Sequence, residues 1–432
     1  MKGLRIGVAG CGPCGLAAAL LLVRSGHQVT LFERFAAPQP IGSGLMIQPT
    51  GLAVLAQLGL AERVLVEGAR IERLFGTAGE RVVLDVSYAA LRRPNRFGIG
   101  IHRASLFAAL HDAVRAAGIE LRTGLTVSAS SLDRQQRRLV FTDGTRSEPF
   151  DLVVDALGTR TPLGSSTGRD LEYGALWATL DWPDDRSFDT AALQQRYRRS
   201  STMAGVLPIG RGQGSQPKAA FFWSLRSDAL ESWRVNGLEP WKSEVRALWP
   251  ECEPFLAQVI DADQLTFARY AHHTARRPCA TALIALGDAW HSASPQLGQG
   301  ANMALLDAWA LARGLEREAT VDAGLTAAVA MRRRHVLLYQ ALTALFTPVY
   351  QSDSAILPFV RDRLVGPLSK LWPATWIQAA MVSGLIGNPL AALDLAEAGS
   401  TTRCAPSTVR ETAPRRASGA STRRRRSRRC RS

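Results

Sequence analysis

The chain has 432 residues, enough for two or three domains, and its 46% hydrophobic and 21% charged residues exclude a disordered, collagen-like or disulfide-scaffold protein. Its formal charge of +15 suggests a nucleic-acid binder until it is located: Thr401–Ser432 holds eleven Arg and one acid, a net +10, and the rest carries 41 bases against 36 acids, a net +5. The body is close to balanced, so nucleic acid is not expected as a partner, and the Arg-rich tail is the only segment that could bind it.

Leu4–Ala9 alternates and is rich in branched residues, as a strand is. Gly15–Arg24 is an Ala/Leu-rich helix ending at Ser25-Gly26, and Gln28–Phe32 is a second strand. Strand, helix and strand within about 30 residues make a βαβ unit, which needs a right-handed crossover and a parallel sheet. Lys2, Arg5 and the apolar run Leu16–Val23 look like a signal peptide, but Gly10, Gly12 and Gly15 interrupt the apolar stretch early and no small-residue cleavage site follows. The spacing predicts a helix over Gly51–Leu58, strands around Ile71–Phe75 and Val82–Val86, and a helix over Arg103–Ala117 with Leu106, Phe107, Leu110 and Val114 on one face. Then come a short strand at Leu121–Thr123, a hairpin strand Arg138–Phe141 turned at Asp143-Gly144, and a buried strand Leu152–Ala156.

From Leu171 to Phe267 the pattern changes to strands, Ala175–Asp181, Met203–Pro208 and Ala219–Leu225, with helix between them and six of the ten Trp. This segment reads as a mostly antiparallel domain. Leu283–Leu286 returns to a buried strand and Asn302–Leu315 to a helix, and helical segments continue to about Glu397. The Ser/Thr/Arg tail beyond cannot bury apolar area and is expected to be disordered. No stretch reaches the ~18 uninterrupted apolar residues of a membrane span. The six Cys show no framework spacing, so reduced thiols and a cytoplasmic location are expected.

The first chemical motif is Gly10-Cys11-Gly12-Pro13-Cys14-Gly15, between the first strand and the first helix. Gly10 permits the tight turn, Gly12 lets backbone approach a pyrophosphate, and Gly15 lets the helix pack on the sheet, with the phosphates over the helix N-terminus. Glu33 ends the second strand 18 residues past Gly15, where a carboxylate accepts hydrogen bonds from a ribose diol. Arg34 beside it can flank an adenine, which leans the choice of dinucleotide towards FAD. Cys11-x-x-Cys14 has no second pair to complete a zinc site, and in this setting both are small turn and helix-start residues; no metal is expected.

The second motif runs from Gly287-Asp288 through Pro295, Gly298, Gly300 and Ala301 to Asn302, after a buried strand and into a helix. Asp288 can bond a ribityl or ribose hydroxyl. The Gly298-Gln299-Gly300 loop aims helix N–H groups at an anion, which suits the negative pyrimidine edge of a reduced flavin.

Together, the glycine run, Glu33-Arg34 and Gly287-Asp288-Ala289-x-His291-x-x-x-Pro295-x-x-Gly298-Gln299-Gly300-x-Asn302 resemble the FAD-dependent aromatic-hydroxylase family, of para-hydroxybenzoate hydroxylase type. The similarity spans roughly Leu4 to Pro389. It implies an α/β fold: a Rossmann-like FAD-binding domain with a parallel sheet (1–165 and 276–340, with strands within 71–98 joining the second sheet), an inserted, mostly antiparallel α+β substrate domain (166–275), C-terminal helices (341–397) and a disordered tail (398–432). By resemblance Glu33 binds the AMP ribose and Arg34 lies on the adenine side. Arg103, at a helix start, contacts the FAD; Gly300–Asn302 face the pyrimidine edge; Pro295 borders the site of oxygen chemistry.

The implied activity is a monooxygenase that inserts one atom of O2 into an aromatic or polyketide-like small molecule through a flavin C4a-hydroperoxide, with NADPH or NADH as electron donor. One departure bears on that donor. Asp151-Leu152-Val153-Val154-Asp155-Ala156-Leu157-Gly158 aligns with the family's Asp-Gly motif, yet Leu157 stands where the family has Asp, and Asp155 is not expected to replace it. The alternative is a flavin oxidase, dehydrogenase or halogenase-like enzyme reduced by a partner; a non-enzymatic flavin-binding protein is the remaining rival. No catalytic side chain is assigned: His291 matches a structural position, His272 and His273 point to opposite faces of a strand, and Gly210–Gly214 opens no helix and reads as a hairpin loop.

Overall fold

The computed structural model describes residues 1–37, 42–93, 96–184, 186–212, 214–365 and 370–398. The Arg-rich tail expected to be disordered lies outside the described residues, except for Ala398.

The branched strands of the N-terminal pattern build a six-stranded sheet in the order 279–280, 283–285, 152–155, 5–9, 28–32, 120–122. All its pairs are parallel except the edge pair between 279–280 and 283–285. Leu152, Val153, Val154, Ile6 and Val8 are fully buried, which is why these strands read as continuous apolar runs rather than alternating ones. The register aligns Ala285, Asp155, Ala9, Phe32 and Arg122 across the carboxyl edge. Both motifs leave the sheet from that edge, where ligands of open parallel sheets bind. Helices Pro13–Arg24, Arg103–Ala116 and Gly300–Arg317 pack together on this sheet through one apolar core.

A second sheet has seven strands in the order 266–274, 167–181, 218–226, 202–208, 192–198, 73–78, 81–87. It is antiparallel except where 192–198 runs parallel to 73–78, so the hairpin 73–87 from the N-terminal part completes it. Its two faces differ. Leu176, Ala178 and Leu180 pack with Phe221 and Trp223 against Trp241, Trp249 and Phe255 of the covering helical segments. Trp177, between them in sequence, turns to the other face and lies on Phe222, ring centroids 4.6 Å apart. That face looks towards a small three-stranded sheet, 44–47, 98–102 and 69–71, since Ala220 and Leu207 share a core with Met46 and Ile71.

The expected elements recur with shifted bounds. The helix placed at Gly51–Leu58 is Pro49–Gln57, with Pro49 at the first helical position, where its missing N–H is no loss. The strand placed at Ala175–Asp181 starts at Thr167, because its first four residues, Thr167–Asp170, pair with 271–274 while remaining exposed and polar. Strands 44–47, 98–102 and 192–198 were not anticipated; the first two are short and glycine-bearing, and the third is polar at alternate positions.

Candidate active site

The three glycines of the first motif are required for two different reasons. A Cβ at Gly10 would lie 2.5 Å from the Ala156 carbonyl oxygen, and one at Gly15 would lie 2.0 Å from the carbonyl oxygen of Gly10. Those two positions are closed by the protein itself. A Cβ at Gly12 would meet nothing within 4 Å. Gly12 caps helix Pro13–Arg24 and faces open space at its positive end, the place a pyrophosphate needs.

Glu33 closes this turn from below. Its Oε2 accepts the Cys11 N–H at 3.0 Å and its Oε1 the Phe35 N–H at 3.1 Å, which leaves carboxylate lone pairs for a ribose diol. Arg34 is exposed, its guanidinium 4.5 Å from the Phe35 ring centroid. Burial, then the charge of Glu33, pushes the Cys11 thiol up to about 12, and burial pushes Cys14 well above its ordinary value. Neither is a thiolate at neutral pH, so they pack as small residues, as the sequence suggested.

Asp288 opens the short helix Asp288–His291 in a recess that is surrounded by protein yet open to solvent. Desolvation raises its pKa, while His291 and Arg103 pull the other way. Arg103 heads helix Arg103–Ala116, donates its N–H to the Ser43 carbonyl at 2.8 Å, and is near enough to act on both Asp288 and Tyr270. Pro295 and Gly300 are exposed, and Ala301 partly so. Gly298 takes the left-handed conformation, φ 60°, and a Cβ at Gly300 would meet nothing within 4 Å.

Asn302 is the surprise in this loop. Its side chain is fully buried: Oδ1 accepts the Gln48 N–H at 2.8 Å, and Nδ2 donates to the Met46 and Gly298 carbonyls at 3.1 and 3.0 Å. It sews the glycine loop to strand 44–47, and only its backbone N–H, in the first turn of the helix, is available to a ring.

A buried network missed from sequence holds the Asp288 loop. Asp307 Oδ2 accepts the Gly287 N–H at 3.0 Å and His291 Nε2–H at 2.6 Å, and Oδ1 accepts Arg332 Nε–H at 2.7 Å. Burial alone would raise this carboxyl; His291 and Arg332 outweigh it and hold it at about 2. Arg332 also donates to His335 Nδ1 at 2.8 Å, so His335 is neutral with its proton on Nε2, given to the Gly384 carbonyl. Burial and Arg332 push His335 down to about 3, in agreement. The available signal was an acid on the apolar stripe of helix Gly300–Arg317, answered by Arg332 and His335 three residues apart on the next helix.

At the departure from the family motif, Leu157 is half-buried against the cluster of Val127, Phe141 and Phe150. Asp155 does not reach out in its place. Its carboxylate accepts the Leu157 N–H at 3.1 Å and the Thr161 hydroxyl at 2.6 Å, and burial raises it to about 6 despite both bonds.

The wall opposite the glycine loop was not legible in the sequence. Trp177 Nε1–H donates to the Tyr270 hydroxyl at 3.0 Å, and burial keeps that phenol protonated. His272, two residues on, lies 3.4 Å from the Thr347 hydroxyl, itself 2.7 Å from Ser294, while His273 turns to Asp170 on the other face. Gly210 to Gly214 joins strands 202–208 and 218–226, with Gln213 outside the described residues. His102 Nδ1 accepts the Ala104 N–H at 3.0 Å, and its Nε2 meets Thr179 at 3.1 Å.

These features fit a flavin dinucleotide: two open glycines at helix N-termini, a ribose-side carboxylate, and a recessed carboxylate beside an arginine. A family model described as an FAD binding domain matches residues 4–337. The chain is 29% identical over 322 residues to 3-amino-4-hydroxybenzoate 2-monooxygenase of Streptomyces cremeus, covering 71% of this chain and 77% of that protein. It is 27% identical over 341 residues to 6-methylpretetramide 4-monooxygenase of Streptomyces rimosus, covering 76% and 79%. The structure of Klebsiella pneumoniae HpxO complexed with FAD and uric acid superimposes with a TM-score of 0.74 at 18% identity, over 90% of this chain and 98% of that one. The chain therefore belongs to the FAD-dependent flavoprotein monooxygenases, of aromatic-hydroxylase type.

Proposed function

We propose that the protein hydroxylates an electron-rich aromatic or polyketide-like small molecule, held between the Pro295–Gly300 loop and the wall of Trp177, Phe222 and Tyr270. The observation that carries this reading is the pairing of open space at Gly12 and at Gly300 with a recessed Asp288, all reached from the carboxyl edge of one sheet. Bound FAD, once reduced, supplies the activation of O2 and the transfer of one oxygen atom.

The chain's own residues bind, orient and exclude water. The N-terminus of helix Pro13–Arg24 takes the pyrophosphate over Gly12, Glu33 the AMP ribose and Arg34 the adenine side. Asp288 and Arg103 take the central part of the dinucleotide. The free N–H groups at the start of helix Gly300–Arg317 hold negative charge at the pyrimidine edge. Trp177 and Phe222 offer an aromatic face to a planar substrate, and the protonated Tyr270 hydroxyl donates to a substrate oxygen. Residues 1–165 and 276–340 serve as the cofactor domain and 166–275 as the substrate domain, in a cytoplasmic enzyme.

The electron donor typical of the family is NADH or NADPH. Leu157 favours a second reading, in which a partner reduces the flavin. Anaerobic titration with each nucleotide separates the two: bleaching of the flavin supports direct reduction, and its absence with both supports the partner. Incorporation of one atom from isotopically labelled O2 into a phenolic product tests the hydroxylation; consumption of O2 with release of peroxide alone, across a panel of phenols and polyketide aromatics, would make the protein an oxidase.

A further inference from the structure

Apolar side chains crowd the surface at the start of helix Ala374–Val382. Leu371 is 60% exposed, Trp372 71%, and Trp376 and Ile377 each 46%, with Pro373 exposed between them. Large aromatics at that exposure are unusual in a folded domain and mark a contact surface. The far end of the same helix is fixed: Ala379, Ala380, Met381 and Val382 are buried, Tyr339 donates to the Met381 carbonyl at 2.9 Å, and Gln299 of the glycine loop donates to the Val382 carbonyl. The exposed end is thus an apolar tip on a rigid stem.

The charge nearest the tip is positive. Between Asp362 and Asp394 the sequence contains only two charged residues, Arg363 and Lys370, and Lys370, directly before Leu371, is an exposed cation. Tryptophan beside lysine, without acids, is the composition that settles in the headgroup layer of an anionic bilayer, where the indole body is apolar and its N–H meets polar headgroups. A stable interface with a second copy needs roughly 20–30 residues a side, which this five-residue tip does not offer.

We propose that Leu371–Ile377 inserts into the interfacial layer of an anionic bilayer and docks the enzyme there peripherally. The stem, about 13 Å long at the usual helical rise, then separates the lipid from the Gln299 loop, so an apolar substrate dissolved in the bilayer lies next to the site. Among the described residues no helix is long and apolar enough to cross a membrane, so the attachment is superficial.

The test is co-sedimentation of the FAD-loaded full chain with vesicles of phosphatidylcholine alone and of phosphatidylcholine mixed with phosphatidylglycerol. The wild type should bind the mixed vesicles. Trp372→Ser/Trp376→Ser should bind them roughly tenfold or more weakly, with unchanged flavin content and melting temperature. Equal binding by both chains would assign adsorption to the Arg-rich tail, which both retain, and overturn the proposal. So would absence of binding by the wild type, or a variant whose only change is loss of an oligomer on gel filtration.

Discussion

The carboxylate of Asp307 accepts the backbone N–H of Gly287, the residue before Asp288, at 3.0 Å while paired to Arg332 at 2.7 Å. A buried ion pair and the backbone of the candidate cofactor loop therefore share one carboxyl group. Asp307→Asn should leave the Arg332 charge without its counter-ion and destabilise the fold by about 3–5 kcal/mol, with weaker FAD binding on top of that loss. Denaturant melts and flavin-fluorescence titration measure the two effects. A variant as stable as wild type would show that Arg332 finds another partner.

Asp155 gives a pH signature of the opposite sign to that of a paired carboxylate. Its folded pKa, about 6, lies above the ordinary value of 3.8, so the folded state holds the proton more tightly than the unfolded chain. Between about pH 4 and pH 6 stability should therefore fall as pH rises, by about 2–3 kcal/mol at 1.36 kcal/mol per unit. Asp155→Asn, which keeps an acceptor for the Leu157 N–H, should lack that slope. Parallel slopes for the two proteins in urea melts across this range would mean that Asp155 is ionised without penalty.

Asp288→Ala should weaken FAD by removing a charge-assisted hydrogen bond, on the order of 1.5–3 kcal/mol. Equilibrium dialysis reads it. Unchanged affinity would remove Asp288 from the site.

The sequence made the two motifs legible because their glycines and acids act locally: Gly10, Gly12, Gly15 and Glu33 shape one turn, and Gly298 and Gly300 one loop. It could not supply residues that meet only through the fold. Asp307 and Arg332 are 25 residues apart, and Trp177 and Tyr270 are 93 apart. Strand Thr167–Asp181 is apolar on both faces along its second half, so no alternation distinguishes Trp177, on the Phe222 face, from Leu176 and Ala178, facing the helices. Asn302 was read as the start of the helix after the glycine loop, and it lies in that helix's first turn, but the direction of its side chain depends on strand 44–47, which was not anticipated.

Leu157 is half-buried rather than sealed, so the carboxylate that the family resemblance implies at this position can be placed there. Leu157→Asp should cost about 1–2 kcal/mol of apolar packing and speed anaerobic flavin reduction by NADH or NADPH in stopped flow, several-fold or more. Rapid reduction of the wild type would show that this fold needs no Asp at the position.

If FAD lies over Gly12, the flavin content of purified wild type and Gly12→Val shows it directly. The wild type should be yellow and release FAD, not FMN, at about one per chain on denaturation. Because a Cβ at Gly12 meets no protein atom within 4 Å, the variant should keep its fold and melting behaviour as apoprotein while losing nearly all of its FAD through collision with the pyrophosphate. Stoichiometric FAD retained by a folded Gly12→Val protein would place the pyrophosphate elsewhere, and a colourless wild type that cannot be reconstituted with FAD would mean that the chain holds no flavin.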